Sequence, residues 1–194
     1  MIQPVLPLIL ASGSPRRREL LDLMGLTYTV ETPDVDESFS GRPSETVMEI
    51  SRRKAAAVAA RHSDSIIIAA DTLVFADGAL GKPHTPERAK EMLRSLAGNW
   101  HHVYTGITVI NTRSGRILRN VDKTRVHLVP MTEIDAYVAT GEPLDKAGAY
   151  AIQGMGGMFV DRIDGSYSNV VGLPMSMLRI MLAQVGGVDE RGVI

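Results

Sequence analysis

Apolar residues fall in short blocks along the first third of the chain, and the breaks between them carry turn and cap chemistry. Leu6 to Ala11 reads as a short buried strand. Ser14 and Pro15 follow as N-cap and first helical residue, and Gly25 marks the stop. Leu20, Leu21 and Met24 share one face of the helix between them. Tyr28 to Thr32 predicts a second strand, and Pro33 to Pro43 a polar connection. Ser44 to Arg61 is the longest helical stretch, with Val47, Ile50, Ala57 and Val58 available for its apolar stripe. Ser65 to Ala70 is a run of β-branched and small residues that ends at Asp71. It predicts an interior strand delivering a carboxylate at its C-terminal end, where open α/β sheets tend to place ligands.

Thr85-Pro86 opens a further helix that ends near Gly98. His102 to Asn111 and Arg116 to Val129 read as two long strands around a turn at Thr112–Gly115. Thr132 and Asp135 resemble a capping box for a helix reaching Thr140. Met158 to Ile163, a turn at Asp164-Gly165 and Ser166 to Val171 predict a hairpin, and Pro174 to Gln184 a final amphipathic helix. Strands and helices alternate early and hairpins come later, which favours a mixed α/β sheet over a purely parallel one.

A chain of 194 residues is long enough to bury roughly 70–75% of its unfolded surface in one core, so one domain over 1–194 is expected. A net charge of −1 gives no polyelectrolyte signal for nucleic acid or an acidic membrane. With no cysteine, disulfides and thiolate metal sites are excluded, and a cytoplasmic setting fits. The apolar run Val5 to Ala11 is too short to span a bilayer and has no basic segment before it.

Five segments carry candidate chemistry. In Leu8 to Leu21 a glycine turn leads into a helix whose first turn holds Arg16, Arg17 and Arg18. Cations there cost about 0.3–1 kcal/mol against the helix dipole unless an anion binds. The alternative is a solvated basic start paired with Glu19 or Asp22. No Walker A spacing is present. In Ala69-Ala70-Asp71-Thr72 the carboxylate is a metal ligand, a base, or an ordinary turn residue. Lys82, between Gly81 and Pro83, sits in a turn, either reaching a phosphate or plainly solvated. Lys54 follows Arg52 and Arg53 and reads as part of a solvated basic helix face. Four glycines within Asp145 to Gly157 imply close backbone approach or a flexible loop. Gln153 lies among them and can both donate to and accept from a base edge. Asp34, Asp36 and Glu37 form an acidic loop able to offer oxygen ligands to a divalent cation. The five histidines show no metal-binding spacing, and no GxSxG elbow occurs.

Taken together, ASGSPRRREL, AADT at Ala69–Thr72, LGKP at Leu80–Pro83, LDKAGAYAIQG at Leu144–Gly154 and NVVGLP at Asn169–Pro174 resemble the Maf family of nucleotide pyrophosphatases. The likeness runs over roughly Leu8 to Leu182. It implies an α/β fold similar to inosine triphosphatases: an elongated mixed sheet with flanking helices and two lobes around a central cleft. It also implies a divalent cation, Mg²⁺ or Mn²⁺, and cleavage of a nucleoside triphosphate to monophosphate and pyrophosphate. By resemblance Asp71 is the proton acceptor, and Ser12, Arg17, Lys54 and Lys82 match phosphate positions. Glu37 and Asp71 match the metal site, and Arg16, Thr72 and Gln153 match positions that separate subfamilies by base. Arg at 16 resembles the subgroup preferring dTTP and UTP, with modified pyrimidine nucleotides as further substrates, whereas a subgroup acting on 7-methyl-GTP tends to have Trp there. The expected partner is the nucleotide itself, with no nucleic acid or membrane; a homodimer is compatible.

Elementary chemistry agrees with this resemblance. A triphosphate needs cationic clamps, and a carboxylate near the α-phosphorus can orient or deprotonate a water. The competing class is a nucleotide-sensing regulatory binder in division control with little turnover. A hydrolase of other phosphoesters is a third reading.

Overall fold

The computed structural model describes residues 5–186. Its strands are β1 (Leu8–Leu10), β2 (Tyr28–Val30), β3 (Ile66–Phe75), β4 (Ala79–Leu80), β5 (Trp100–Asn111), β6 (Arg116–Leu128) and β7 (Val160–Asp164). The helices are α1 (Pro15–Leu23), α2 (Pro43–Ala59), α3 (Pro86–Leu96), α4 (Ile134–Ala139), α5 (Tyr167–Val171) and α6 (Met175–Gln184). The strands form one mixed sheet in the order β2-β1-β3-β5-β6-β7, with β4 paired to β3. β1 runs parallel to both β2 and β3, while β3–β4 and β6–β7 are antiparallel.

The chain divides into two compact units. The first holds the described residues up to Asp71, then Thr105–Asp122 and the segment from Gly172; the second holds Thr72–Tyr104 and Lys123–Val171. The chain therefore changes unit inside β3, β5 and β6.

In the first unit, all three residues of β1 and the first five of β3 are buried, which is why both read as unbroken apolar runs. Ile66, Ile67 and Ile68 are fully buried, each contributing about 1.5–3 kcal/mol of transfer free energy. α2 lies over this sheet through Ala55 and Val58, which cluster with Ile9, Ala11, Ile67, Ala69 and Ile110. Ala57, placed in the stripe from sequence, is only half-buried; Ala55 takes that place. The helix comes very close to β5, where a Cβ on Gly106 would stand 2.4 Å from the Val47 carbonyl oxygen. Ser51 Oγ and Thr108 Oγ1, 3.0 Å apart, tie the same two elements.

In the second unit, α3 presents Ala89, Met92, Leu93 and Leu96 at helical spacing to a core shared with Val103, Val126, Ile134, Tyr137 and Val138. Thr85 caps α3, its Oγ1 accepting from Arg88 N at 3.3 Å.

Three local expectations are corrected. β3 does not end at Asp71: it continues to Phe75 because Val74 and Phe75 pair with Leu80 and Ala79 of β4. Thr132 does not cap α4, whose N-cap is Glu133; the Asp135 carboxylate bonds Lys90 Nζ at 2.7 Å instead. The segment after Asp164-Gly165 is a helical turn, α5, and β7 pairs with β6. Ser166 Oγ accepts from Asn169 N at 3.2 Å and so caps that turn. The buried Asn169 carboxamide donates to Val103 O and Thr124 Oγ1, tying the turn to β5 and β6.

Candidate active site

The turn between β1 and α1 is built around a serine and an arginine. Ser12 is buried, and its Oγ accepts from Arg17 Nη1 at 2.9 Å and from Ser14 N at 3.3 Å. Ser14 occupies the N-cap position, yet its side chain makes no cap bond. Arg17 Nε donates to Gly172 O at 2.9 Å, so the guanidinium is fixed on two sides. Burial pulls its pKa below the ordinary arginine value; the Asp71 carboxylate opposes this, Arg16 adds to it, and Glu37 also opposes it. Arginine remains a cation throughout.

Lys54 departs from the solvated helix face that its basic neighbours alone suggested. It does not lie on a solvated face: its side chain is 10% exposed, and Nζ bonds Asp71 Oδ1 at 2.8 Å and Glu37 Oε1 at 3.0 Å. The cause is helical geometry. Val47, Ser51, Lys54, Ala55 and Val58 form the buried face of α2, and Ser51, one turn earlier, is held against β5. Asp71 is itself only 14% exposed, while Glu37 is 60% exposed. One ammonium thus draws two carboxylates from distant segments to a common point.

The loop carrying Glu37 is held by a residue that sequence reasoning passed over. Arg53 Nη1 donates to Asp36 O at 3.0 Å and Ser38 O at 2.9 Å, the carbonyls on either side of Glu37. Its Nε bonds Glu49 Oε1 at 3.0 Å, and its guanidinium lies over the Phe39 ring. Glu49, hydrogen-bonded by Arg52 and Arg53, is held down to about 2. The only sequence signal was the Glu49–Arg53 spacing of four on a helix.

Thr72, Lys82 and Gln153 belong to the second unit. Lys82 is exposed in an irregular segment between β4 and α3 rather than in the expected turn; the neighbouring Gly81 carbonyl accepts from Gly148 N, and His84 N donates to Leu144 O, both at 3.2 Å. The LGKP and DKAGAY motifs therefore interlock through the backbone. Gly148, at φ +70°, packs so closely that a Cβ would stand 2.9 Å from Val74. Gln153 is exposed in a turn closed by Gly154 N donating to Ala151 O. The glycine segment is largely a series of tight 3-10 turns, with Gly148, Ala149 and Tyr150 buried. Of the histidines, His101 is buried against Tyr150 Oη at 2.8 Å. Among the described residues no three His, Asp or Glu side chains gather as a metal site, and no helix is long and apolar enough to cross a membrane.

The first unit thus gathers Ser12, Arg17, Glu37, Lys54 and Asp71 on a mixed α/β sheet with flanking helices, and the motifs that supply Ser12, Arg17 and Asp71 belong to one class of chain. Residues 7–185 match the family model described as Maf-like protein, and the chain belongs to the Maf family. Its relatives include the dTTP/UTP pyrophosphatase of Thermotoga maritima, 44% identical over 182 residues that cover 92% of this chain and 89% of that protein. The dTTP/UTP pyrophosphatase of Caldicellulosiruptor bescii is 46% identical over 188 residues, covering 92% and 94%. That of Pelotomaculum thermopropionicum is 47% identical over 184 residues, covering 92% and 96%.

Proposed function

We propose that residues 1–194 act as one catalytic domain, a nucleoside triphosphate pyrophosphatase acting on dTTP and UTP, together with modified pyrimidine nucleotides. The observation that carries this reading is the gathering of Arg17, Lys54, Asp71 and Glu37 in a chain whose net charge is only −1. The names of the relatives support the choice of substrate.

In the reaction, water adds to the α-phosphorus, the bond from that phosphorus to the α–β bridging oxygen breaks, and pyrophosphate leaves. Asp71 orients the water and accepts its proton. Ser12, Arg17, Lys54 and Lys82 bind the phosphates, where fixed cations stabilise charge far better than mobile water does. Glu37 and Asp71 already share a cation in Lys54 Nζ, and a divalent ion such as Mg²⁺ typically takes one or two carboxylates plus phosphate oxygens, so this pair fits it. Such an ion, when bound, would neutralise phosphate charge and acidify the water.

Arg16, Thr72 and Gln153 read the base. Uracil and thymine offer an N–H between two carbonyls, which a carboxamide can pair with; cytosine reverses two of those groups, and each buried mismatch costs about 1–3 kcal/mol. UTP and dTTP should therefore exceed CTP and dCTP by at least about tenfold in kcat/KM. The reading needs neither nucleic acid nor a membrane, fits the cytoplasm and allows a homodimer.

Product analysis with dTTP or UTP and Mg²⁺ or Mn²⁺ tests it. The expected products are the monophosphate and pyrophosphate in equal amounts, with turnover lowered about 10²-fold or more in a folded Asp71→Asn variant. Release of orthophosphate, or binding without products, would overturn it.

A further inference from the structure

Gln153 sits at the tip of a turn whose two ends are gripped by one pair of side chains. On the incoming side, Ala151 N donates to Tyr137 Oη at 3.2 Å. On the outgoing side, Met155 N donates to Glu142 Oε2 and Gly156 N to Glu142 Oε1, both at 2.9 Å. The pair is joined by Tyr137 Oη donating to Glu142 Oε1 at 2.7 Å. Tyr137 is buried in α4, edge-on to Phe159, so the grip is anchored in the core of the second unit.

The glycines of this segment make room for the grip. A Cβ on Gly154 would stand 2.2 Å from Glu142 Oε2, and one on Gly156 would stand 2.4 Å from Tyr137 Oη. Glu142 accepts three hydrogen bonds, which suits a carboxylate because it has only acceptor sites. A carboxamide of the same shape would aim a donor at one of the N–H groups in either flip, because each carboxylate oxygen accepts from a different backbone N–H.

We infer that Glu142, supported by Tyr137, is the positioning residue for pyrimidine selection: it fixes the turn from which Gln153 reads the base. This rests on the reading of Gln153 as the base contact. Glu142 acts through the turn, its carboxylate being taken up by Tyr137 and two backbone N–H groups. Its effect should therefore appear in the choice between uracil and cytosine rather than in the rate of the chemical step alone.

The test measures kcat/KM for UTP and CTP, with Mg²⁺, in the wild type, Gln153→Ala, Glu142→Gln, Tyr137→Phe and the Glu142→Gln/Gln153→Ala double variant, with thermal unfolding alongside. Glu142→Gln should narrow the UTP-to-CTP ratio by about tenfold, the scale of misplacing a contact group by a fraction of an ångström to an ångström. Tyr137→Phe should narrow it less. In the Gln153→Ala background Glu142→Gln should change the ratio no further, since the two act through one contact. A folded Glu142→Gln that slows UTP and CTP equally overturns the inference while leaving Gln153 as the base contact. If Glu142→Gln does not fold, an unchanged ratio in Tyr137→Phe overturns it. A wild type that turns over both nucleotides alike, or a Gln153→Ala variant with an unchanged ratio, overturns the reading of Gln153 and this inference with it.

Discussion

Replacing Lys54 by Met keeps most of the buried stem and removes only the ammonium, so it isolates the charge cluster. Two carboxylates lose their shared partner, but unequally. Glu37 is 60% exposed and regains water at little cost, whereas Asp71 is 14% exposed and does not. An exposed pair such as Arg88–Glu91 is worth about 0.2–1 kcal/mol, and breaking a fully buried pair costs about 3–5. Lys54–Asp71, at 2.8 Å with both side chains nearly buried, belongs between these limits. Lys54→Met should therefore destabilise the fold by about 2–3 kcal/mol. Asp71→Asn should cost only about 1 kcal/mol, because Lys54 still has Glu37 at 3.0 Å. Urea unfolding of the wild type, both single variants and the double variant gives the coupling, expected at about 1.5–2 kcal/mol. High salt should change it little, since a buried pair is poorly screened. A coupling below about 0.5 kcal/mol, the level of a surface pair, would place the ammonium in water and refute the geometry on which the role of Asp71 is built.

Arg53→Lys cannot hold Asp36 O, Ser38 O and Glu49 together, so Glu37 should lose its fixed place. Half-maximal activation by Mn²⁺ should then need about tenfold more metal, and an unchanged metal titration would argue against the clamp. Gly106→Ala puts a methyl 2.4 Å from the Val47 carbonyl oxygen and 2.7 Å from Met48 N. It should cost about 1–3 kcal/mol, read as a lower thermal midpoint; an unshifted midpoint would mean that α2 can lift from β5 freely. His101 is buried, and burial pulls its imidazole down from 6.5 to about 4. The unfolded chain therefore takes up this proton first as pH falls. This contribution to stability is complete above about pH 6.5 and is lost towards pH 4, about 3 kcal/mol in all. Denaturant midpoints over that range should fall less steeply in His101→Gln, and identical slopes would contradict the assignment.

The sequence was most readable where one local cause decided the outcome. Pro15, Thr85-Pro86, Gly25 and Gly98 bracket helices through backbone preference alone, and both glycines take the expected positive φ. It was least readable where a partner far along the chain decided. Lys54 resembled its basic neighbours Arg52 and Arg53, and only the approach of α2 to β5 turns it towards Asp71. Ser166 to Val171 has strand-like residues, yet the Ser166 cap and the buried Asn169 carboxamide make it a helical turn. Close approach was one of the alternatives left open for the glycine segment, and it holds at Gly154 and Gly156, but the groups approaching them, Glu142 and Tyr137, lie more than ten residues earlier and carry no motif of their own.

The bond from Arg17 to Gly172 O spans 155 residues. During synthesis at about 5–20 residues per second, that carbonyl is made roughly 8–30 s after the arginine that needs it. Until then the N-terminal turn has its serine contact but lacks its second anchor. Neither unit is a continuous stretch of chain, so a nascent fragment stopped anywhere before Gly172 cannot complete the first one. The turn that holds Ser12 and Arg17 is thus completed only once Gly172 has been made, and a chain truncated before it is born without that second anchor.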